Sequence, residues 1–208
     1  MTQSLSPFGE STQKYWDKRH RYFSKWDDGI QTDAQGLYSV KPEKFALEIA
    51  QTLPGTIVLD AFCGIGGSAI GFALCGKRVV SVDIDESRLR MAAHNAALYG
   101  VADKIDFMQG DIATLYDPLF DTLHFDALHI DPPWGGPDYY KKEVFGWADF
   151  APDPLPLIHK AVQAKINVAV GLPVNFDAAA LDKVACKAQV TDAHDGTKLL
   201  FRTAYFLA

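Results

Sequence analysis

The sequence predicts an α/β fold, a doubly wound and mostly parallel sheet preceded by a short helical extension. Three observations carry this expectation. Short β-branched or apolar runs alternate with helical stretches of roughly 10–15 residues, the trace that βαβ units leave in a chain. Three of those runs end at an acid, Asp60, Asp83 and Asp131. A glycine-rich turn follows the first run, and a double proline, Pro132-Pro133, closes the fourth.

From Lys14 to Lys25 there are five basic residues (Lys14, Lys18, Arg19, Arg21, Lys25) against one acid, Asp17. Tyr15, Trp16, Tyr22 and Phe23 are interleaved with them, and Trp26 lies just beyond. Tyr15, Arg19, Tyr22 and Trp26 fall at helical spacing, so one amphipathic helix is expected. Its aromatics either pin it to the main domain or, with the cations, form a patch for a base- and phosphate-bearing ligand. Leu53-Pro54-Gly55 marks the boundary between an extension or lid, residues 1–54, and a doubly wound domain, residues 55–208. Within that domain, Thr56–Leu59 is read as the first strand, followed by a glycine turn and a helix through about Gly76. Arg78–Val82 is the second strand, and Glu86–Tyr99 an amphipathic helix stopped by Gly100. Ile105–Met108 and Phe125–Ile130 are the third and fourth strands, and Leu155–Ala164 is a helix. Ile166–Leu172 is the fifth strand, Ala178–Ala188 a helix, and Leu199–Phe206 the final strand. Right-handed crossovers would join the parallel members.

The chain has 208 residues, enough for one domain with an appendage, and its 48% hydrophobic content is that of a globular protein. A net charge of −6 argues against a protein that simply coats nucleic acid. No run of about 18 apolar residues exists, so no membrane span is expected. Met1–Pro7 lacks the apolar core of a secretory signal. Cys63, Cys75 and Cys186 are odd in number and lack metal-type spacing, which points to a reduced, cytoplasmic setting. The six histidines form no HExxH pattern, so no metal is expected. A monomer is expected.

Asp131-Pro132-Pro133-Trp134 is the most informative segment. Two consecutive prolines cannot extend a ladder, so the chain must leave the sheet on a stiff loop. In open parallel sheets, ligands bind at that carboxyl edge. Trp134 can stack on a planar base, while Asp131 and backbone carbonyls such as that of Pro132 can accept from an exocyclic amino group. A tight turn with a packed tryptophan would use the same residues. The first βα turn, Asp60-Ala61-Phe62-Cys63-Gly64-Ile65-Gly66-Gly67-Ser68-Ala69, fits GxGxxG/A, with Asp83 placed for ribose hydroxyls. By itself the loop suits a nicotinamide, a flavin or S-adenosylmethionine. Asp60 favours the last, because a carboxylate repels a pyrophosphate but suits the methionine ammonium, directly or through water. Ile84 would flank the adenine, and Asp111-Ile112 would meet its amino group.

At this point the residues carry a family resemblance. Lys14-Tyr15-Trp16, Arg19, Phe23-Ser24, Asp27-Asp28-Gly29-Ile30, Ser39-Val40 and Pro42-Glu43-Lys44 resemble the signature of the trimethylguanosine synthases, the RNA cap hypermethylases. So do Asp60-Ala61-Phe62-Cys63-Gly64, Asp83-Ile84-Asp85, Asn95-Ala96, Tyr99-Gly100 and Pro132-Pro133-Trp134-Gly135-Gly136-Pro137-Asp138-Tyr139. The resemblance implies a class I, Rossmann-like methyltransferase with a seven-stranded sheet. It implies S-adenosylmethionine held among Asp60, Phe62, Asp83 and Asn95, with the N-terminal helices closing over it. It further implies a guanine against Trp134 and phosphates near Lys14 and Tyr139, with Phe23 and Ser39 on the substrate side. Three positions depart from the family: Asp131 stands for a serine, Lys41 for a threonine and Val174 for an arginine.

The expected activity is methyl transfer from S-adenosylmethionine to the 2-amino group of a guanine in RNA, with Asp131, Pro132 and Trp134 as the catalytic set. Adenine N6 and a protein glutamine amide are alternative acceptors. A nicotinamide oxidoreductase and a non-catalytic RNA-binding module are alternatives of other classes.

Overall fold

A computed structural model describes residues 5–136 and 139–208. The N-terminal segment forms α1 (Gln13–Trp16), α2 (Arg19–Tyr22), α3 (Ala34–Ser39) and α4 (Glu43–Thr52). Alternating units follow: β1 (Ile57–Asp60), α5 (Gly67–Leu74), β2 (Arg78–Asp83), α6 (Glu86–Leu98), β3 (Ile105–Gln109), α7 (Ile112–Thr122) and β4 (Ala127–Ile130). The chain ends with α8 (Leu155–Gln163), β5 (Asn167–Leu172), β6 (Ala188–Asp195) and β7 (Lys198–Phe206). The seven strands lie in the order β3-β2-β1-β4-β5-β7-β6. Strands β1 to β5 pair in parallel, and β7 runs antiparallel between β5 and β6.

Every residue of β4 is buried, as are the last three of β1, which explains why they are apolar apart from Asp60 and His129. Helices cover both faces of such strands. The strand order reverses between β1 and β4, so their carboxyl ends open onto the switch point where doubly wound sheets bind ligands. Asp60 on β1 is in register with His129 on β4, which places the glycine turn beside the double-proline turn.

The extension departs from the single helix expected. The chain breaks at Asp17-Lys18 into two one-turn helices, and Phe23 is extended at φ −141°. Tyr22, Phe23 and Trp26 are buried in one cluster with Leu37, Phe45, Ile49, Ile70 and Phe72. Trp16 meets Trp26 edge-to-face, with ring centroids 5.6 Å apart. The extension between Phe8 and Leu53 therefore shares a core with the sheet.

The chain between β5 and β7 also differs. Ala178–Lys183 forms a 3₁₀ turn, not a helix through Ala188, and Ala188–Asp195 is the edge strand β6. Most of β6 is exposed, so it lacks the apolar alternation that marks a half-buried strand. The signal that marks it is Asp195-Gly196, with Gly196 at φ +60°, a pairing typical of tight hairpins. Helix α7, which the sequence did not reveal, is capped by Asp111.

Candidate active site

The glycine turn leaves β1 at Asp60, which is fully buried. Its Oδ2 accepts from Ser81 Oγ at 2.7 Å, and its Oδ1 lies 2.7 Å from His129 Nδ1. Both oxygens are engaged by neighbouring strands, so Asp60 ties β1 to β2 and β4 beneath the turn. The turn has Gly64 at φ +53° and Gly66 at φ +90°, backbone that side chains rarely adopt. No atom lies within 4 Å of where a Cβ on Gly64 would stand. Phe62 is partly buried against the cluster around Ile130 and Phe145.

Asp83 closes β2 and grips the turn. Its Oδ2 accepts from Gly64 N–H at 2.6 Å and its Oδ1 from Asp85 N–H at 3.0 Å. Burial raises its pKa above the ordinary carboxylate value, opposed by the backbone hydrogen bonds from Asp85 and Gly64. The next residue, Ile84, is 67% exposed, an apolar side chain left in the open at the strand's end. Asp111 accepts from Ala113 N–H at 2.9 Å as the cap of α7, and Ile112 is buried.

Two further expected site residues are buried. Asn95 is fully buried; its Oδ1 accepts from Gln31 N–H at 2.8 Å, and its Nδ2 donates to the carbonyls of Gln31 and Ile65. It staples the extension to the glycine turn, with all three of these hydrogen bonds made to backbone. Phe23, expected on the substrate side, is 1% exposed and belongs to the core.

On the neighbouring strand the chain turns out at Asp131. Its carboxylate forms an ion pair with Lys41, whose side chain is 4% exposed against 18% for Asp131. Pro132 is buried and Pro133 exposed. Trp134 is half-buried and meets Tyr139 edge-to-face, centroids 5.2 Å apart at 76°. Its Nε1–H is buried with no acceptor among the described residues. Burial pushes the Tyr139 phenol up, with a smaller electrostatic contribution from Tyr15. Of the extended motif, Pro137 and Asp138 lie outside the described residues. Ser39 is exposed at the end of α3.

The cations of the extension do not form one docking face. Lys18 and Arg21 pair with Asp195 of the β6–β7 hairpin at 3.5 and 2.7 Å. Lys25 Nζ donates to the Leu98 carbonyl at 2.6 Å, and the Arg19 guanidinium lies 4.8 Å from the Trp16 ring centroid. Lys14 is exposed, its Nζ 4.9 Å from the Tyr15 centroid.

Comparison with known proteins assigns this arrangement. A family model described as RNA cap guanine-N2 methyltransferase matches residues 55–199. Trimethylguanosine synthase from Schizosaccharomyces pombe is 37% identical over 178 residues, 82% of this chain and 74% of that protein. The Saccharomyces cerevisiae protein of the same name is 32% identical over 184 residues, 84% of this chain and 58% of that one. Among solved structures, a putative methyltransferase from Porphyromonas gingivalis W83 superposes with a TM-score of 0.71 at 19% identity, over 94% of this chain and 48% of that one. That likeness speaks for the fold. The sequence matches reach further, spanning both the glycine turn and the double-proline loop, and by them the chain belongs to the RNA cap guanine-N2 methyltransferase family.

Proposed function

We propose that the chain methylates the exocyclic 2-amino group of an exposed or 5′-terminal guanosine in RNA, at the cleft between the glycine turn and the Asp131-Pro132-Pro133-Trp134 loop. The juxtaposition of those two turns at the switch point, with Trp134 beside Tyr139, is the observation that carries this reading. An exposed or terminal base needs little unstacking before it reaches a pocket.

The residues fit S-adenosylmethionine as methyl donor. The glycine turn faces open space at Gly64, Asp83 is braced there by two backbone N–H groups, and Ile84 offers an apolar surface. Asp83 would hold the ribose, Ile84 and Ile112 would bound the adenine, and the Gly64–Gly66 turn would lie along the methionine. When bound, the cofactor supplies an electrophilic methyl on a sulfonium and leaves as a neutral thioether. Asp83→Ala is expected to weaken its binding at least tenfold, about 1.4 kcal/mol, by calorimetry. Unchanged affinity, or tight NADH binding by the unaltered protein, would remove this assignment.

An aryl amino group is a poor nucleophile because its lone pair is delocalised into the ring. Acceptors on its two N–H groups favour a pyramidal nitrogen and free the lone pair. The Asp131 carboxylate, whose side chain keeps 18% exposure beside Lys41, and the Pro132 carbonyl are the acceptors offered here. Trp134 fixes the ring plane. As the N–C bond forms, the nitrogen becomes positive and strongly acidic, and its proton passes to water at the open side of the loop, where Pro133 and Gly135 are exposed. Orientation of this kind contributes up to about 7–11 kcal/mol in favourable systems. Acceptors aimed at the developing charge add an electrostatic contribution.

Labelled methyl transfer to total RNA, DNA, protein and 7-methylguanosine cap analogues, followed by nucleoside mass spectrometry, tests the reading. N2-methylated guanosine is the expected product. 6-Methyladenosine alone would overturn the guanine assignment and leave the methyltransferase standing.

A further inference from the structure

Lys41 enters the site from the extension, immediately before Pro42, the cap of α4, which begins at Glu43. A lysine side chain is rarely buried unless paired, and this one is 4% exposed. Its ammonium pairs with Asp131 and lies 5.4 Å from the Phe201 ring centroid on β7. The slot that receives the carboxylate is floored by Gly171 on β5. A Cβ at Gly171 would collide with Asp131 Oδ1 and come within 3.0 Å of Lys41 Nζ. Three separate parts of the chain therefore build one place for this carboxylate: the extension supplies the charge, β5 the space and β7 the ring.

We infer that Lys41 is a positioning residue for methyl transfer: its buried ammonium locks the Asp131 carboxylate over Gly171, so that one edge faces the acceptor amino group. The inference rests on the proposed role of Asp131. Without Lys41 the carboxylate would be an uncompensated charge in a mostly buried slot, and would swing toward water, carrying the start of the double-proline turn with it. The pair also makes the catalytic loop depend on the extension, since Lys41 stands between α3 and α4, outside the sheet domain.

The test is a charge-removal cycle with Lys41→Met, Asp131→Asn and the double variant, and Lys41→Arg as the conservative control. Asn keeps an acceptor oxygen at 131 and removes the charge. Incorporated methyl is counted in RNA irrespective of the nucleoside, and mass spectrometry then reports the nucleoside, so a wrong guanine assignment is read separately from a wrong role for Lys41. Lys41→Met is expected to lower kcat at least tenfold with KM for RNA and the cofactor Kd changed less than threefold, and Lys41→Arg to keep more activity than Lys41→Met. The double variant is expected to be faster than Lys41→Met, because neither partner is left charged and alone. A kcat for Lys41→Met within threefold of the unaltered protein would overturn the inference. A double variant no faster than Lys41→Met would do the same, as would Lys41→Arg losing as much as Lys41→Met.

Discussion

Asp60→Ala is expected to lower the stability of the protein by about 2–6 kcal/mol, more than any cofactor contact it could remove. The substitution leaves two buried donors without acceptors. Ser81 Oγ–H donates to one carboxylate oxygen at 2.7 Å, and His129 Nδ1 faces the other at 2.7 Å, in the tautomer that donates to it. Ser81 and His129 are themselves fully buried, so water cannot replace the lost partner cheaply. Each unsatisfied buried donor costs about 1–3 kcal/mol. In a chain of this size each kcal/mol moves the midpoint by about 2–4 °C, so thermal unfolding should fall by roughly 5–20 °C. A melting point unchanged by Asp60→Ala, with cofactor affinity lost, would return Asp60 to direct contact with the ammonium.

The surroundings of Asp60 show what the sequence could and could not convey. The parallel half of the sheet was legible because β1, β4 and β5 are buried on both faces and read as mostly apolar runs. The acid at the end of β1 was legible as a position, but not its partners: Ser81 and His129 sit on neighbouring strands, and pairing register fixes their approach. Asn95 is a related case. A polar residue in a family motif looks like a ligand contact, and here it joins two backbone segments, at Gln31 and Ile65. The spacing of Tyr15, Arg19, Tyr22 and Trp26 suggested one helix, but their burial comes from a chain that bends at Asp17-Lys18 and again at Phe23. Lys41 and Asp131 were each visible as a departure from the family pattern. That they answer one another appears only once α4, β4 and β5 are assembled.

Trp134→Ala is expected to reduce kcat/KM for RNA by about 5–150-fold, the equivalent of about 1–3 kcal/mol of base stacking. The indole stands at the exit of the double-proline turn, half-buried, and rests on both halves of the core. Tyr139 meets it edge-to-face at 76°, which braces its tilt without stacking on it in parallel. A rigid, tilted indole is a platform for a purine, and its removal takes away both the surface and the plane that aims the amino group. Trp134→Phe separates these effects from hydrogen bonding. Phenylalanine keeps an aromatic face, and the indole Nε1–H has no acceptor among the described residues. This variant should remain within a few fold of the unaltered enzyme. Because Trp134→Ala also opens a space against the core, thermal midpoints of both variants belong beside the kinetics, so that loss of the folded state is not read as loss of stacking. Kinetics unchanged in a folded Trp134→Ala protein would mean the base stacks elsewhere, and the guanine assignment would lose its main physical support.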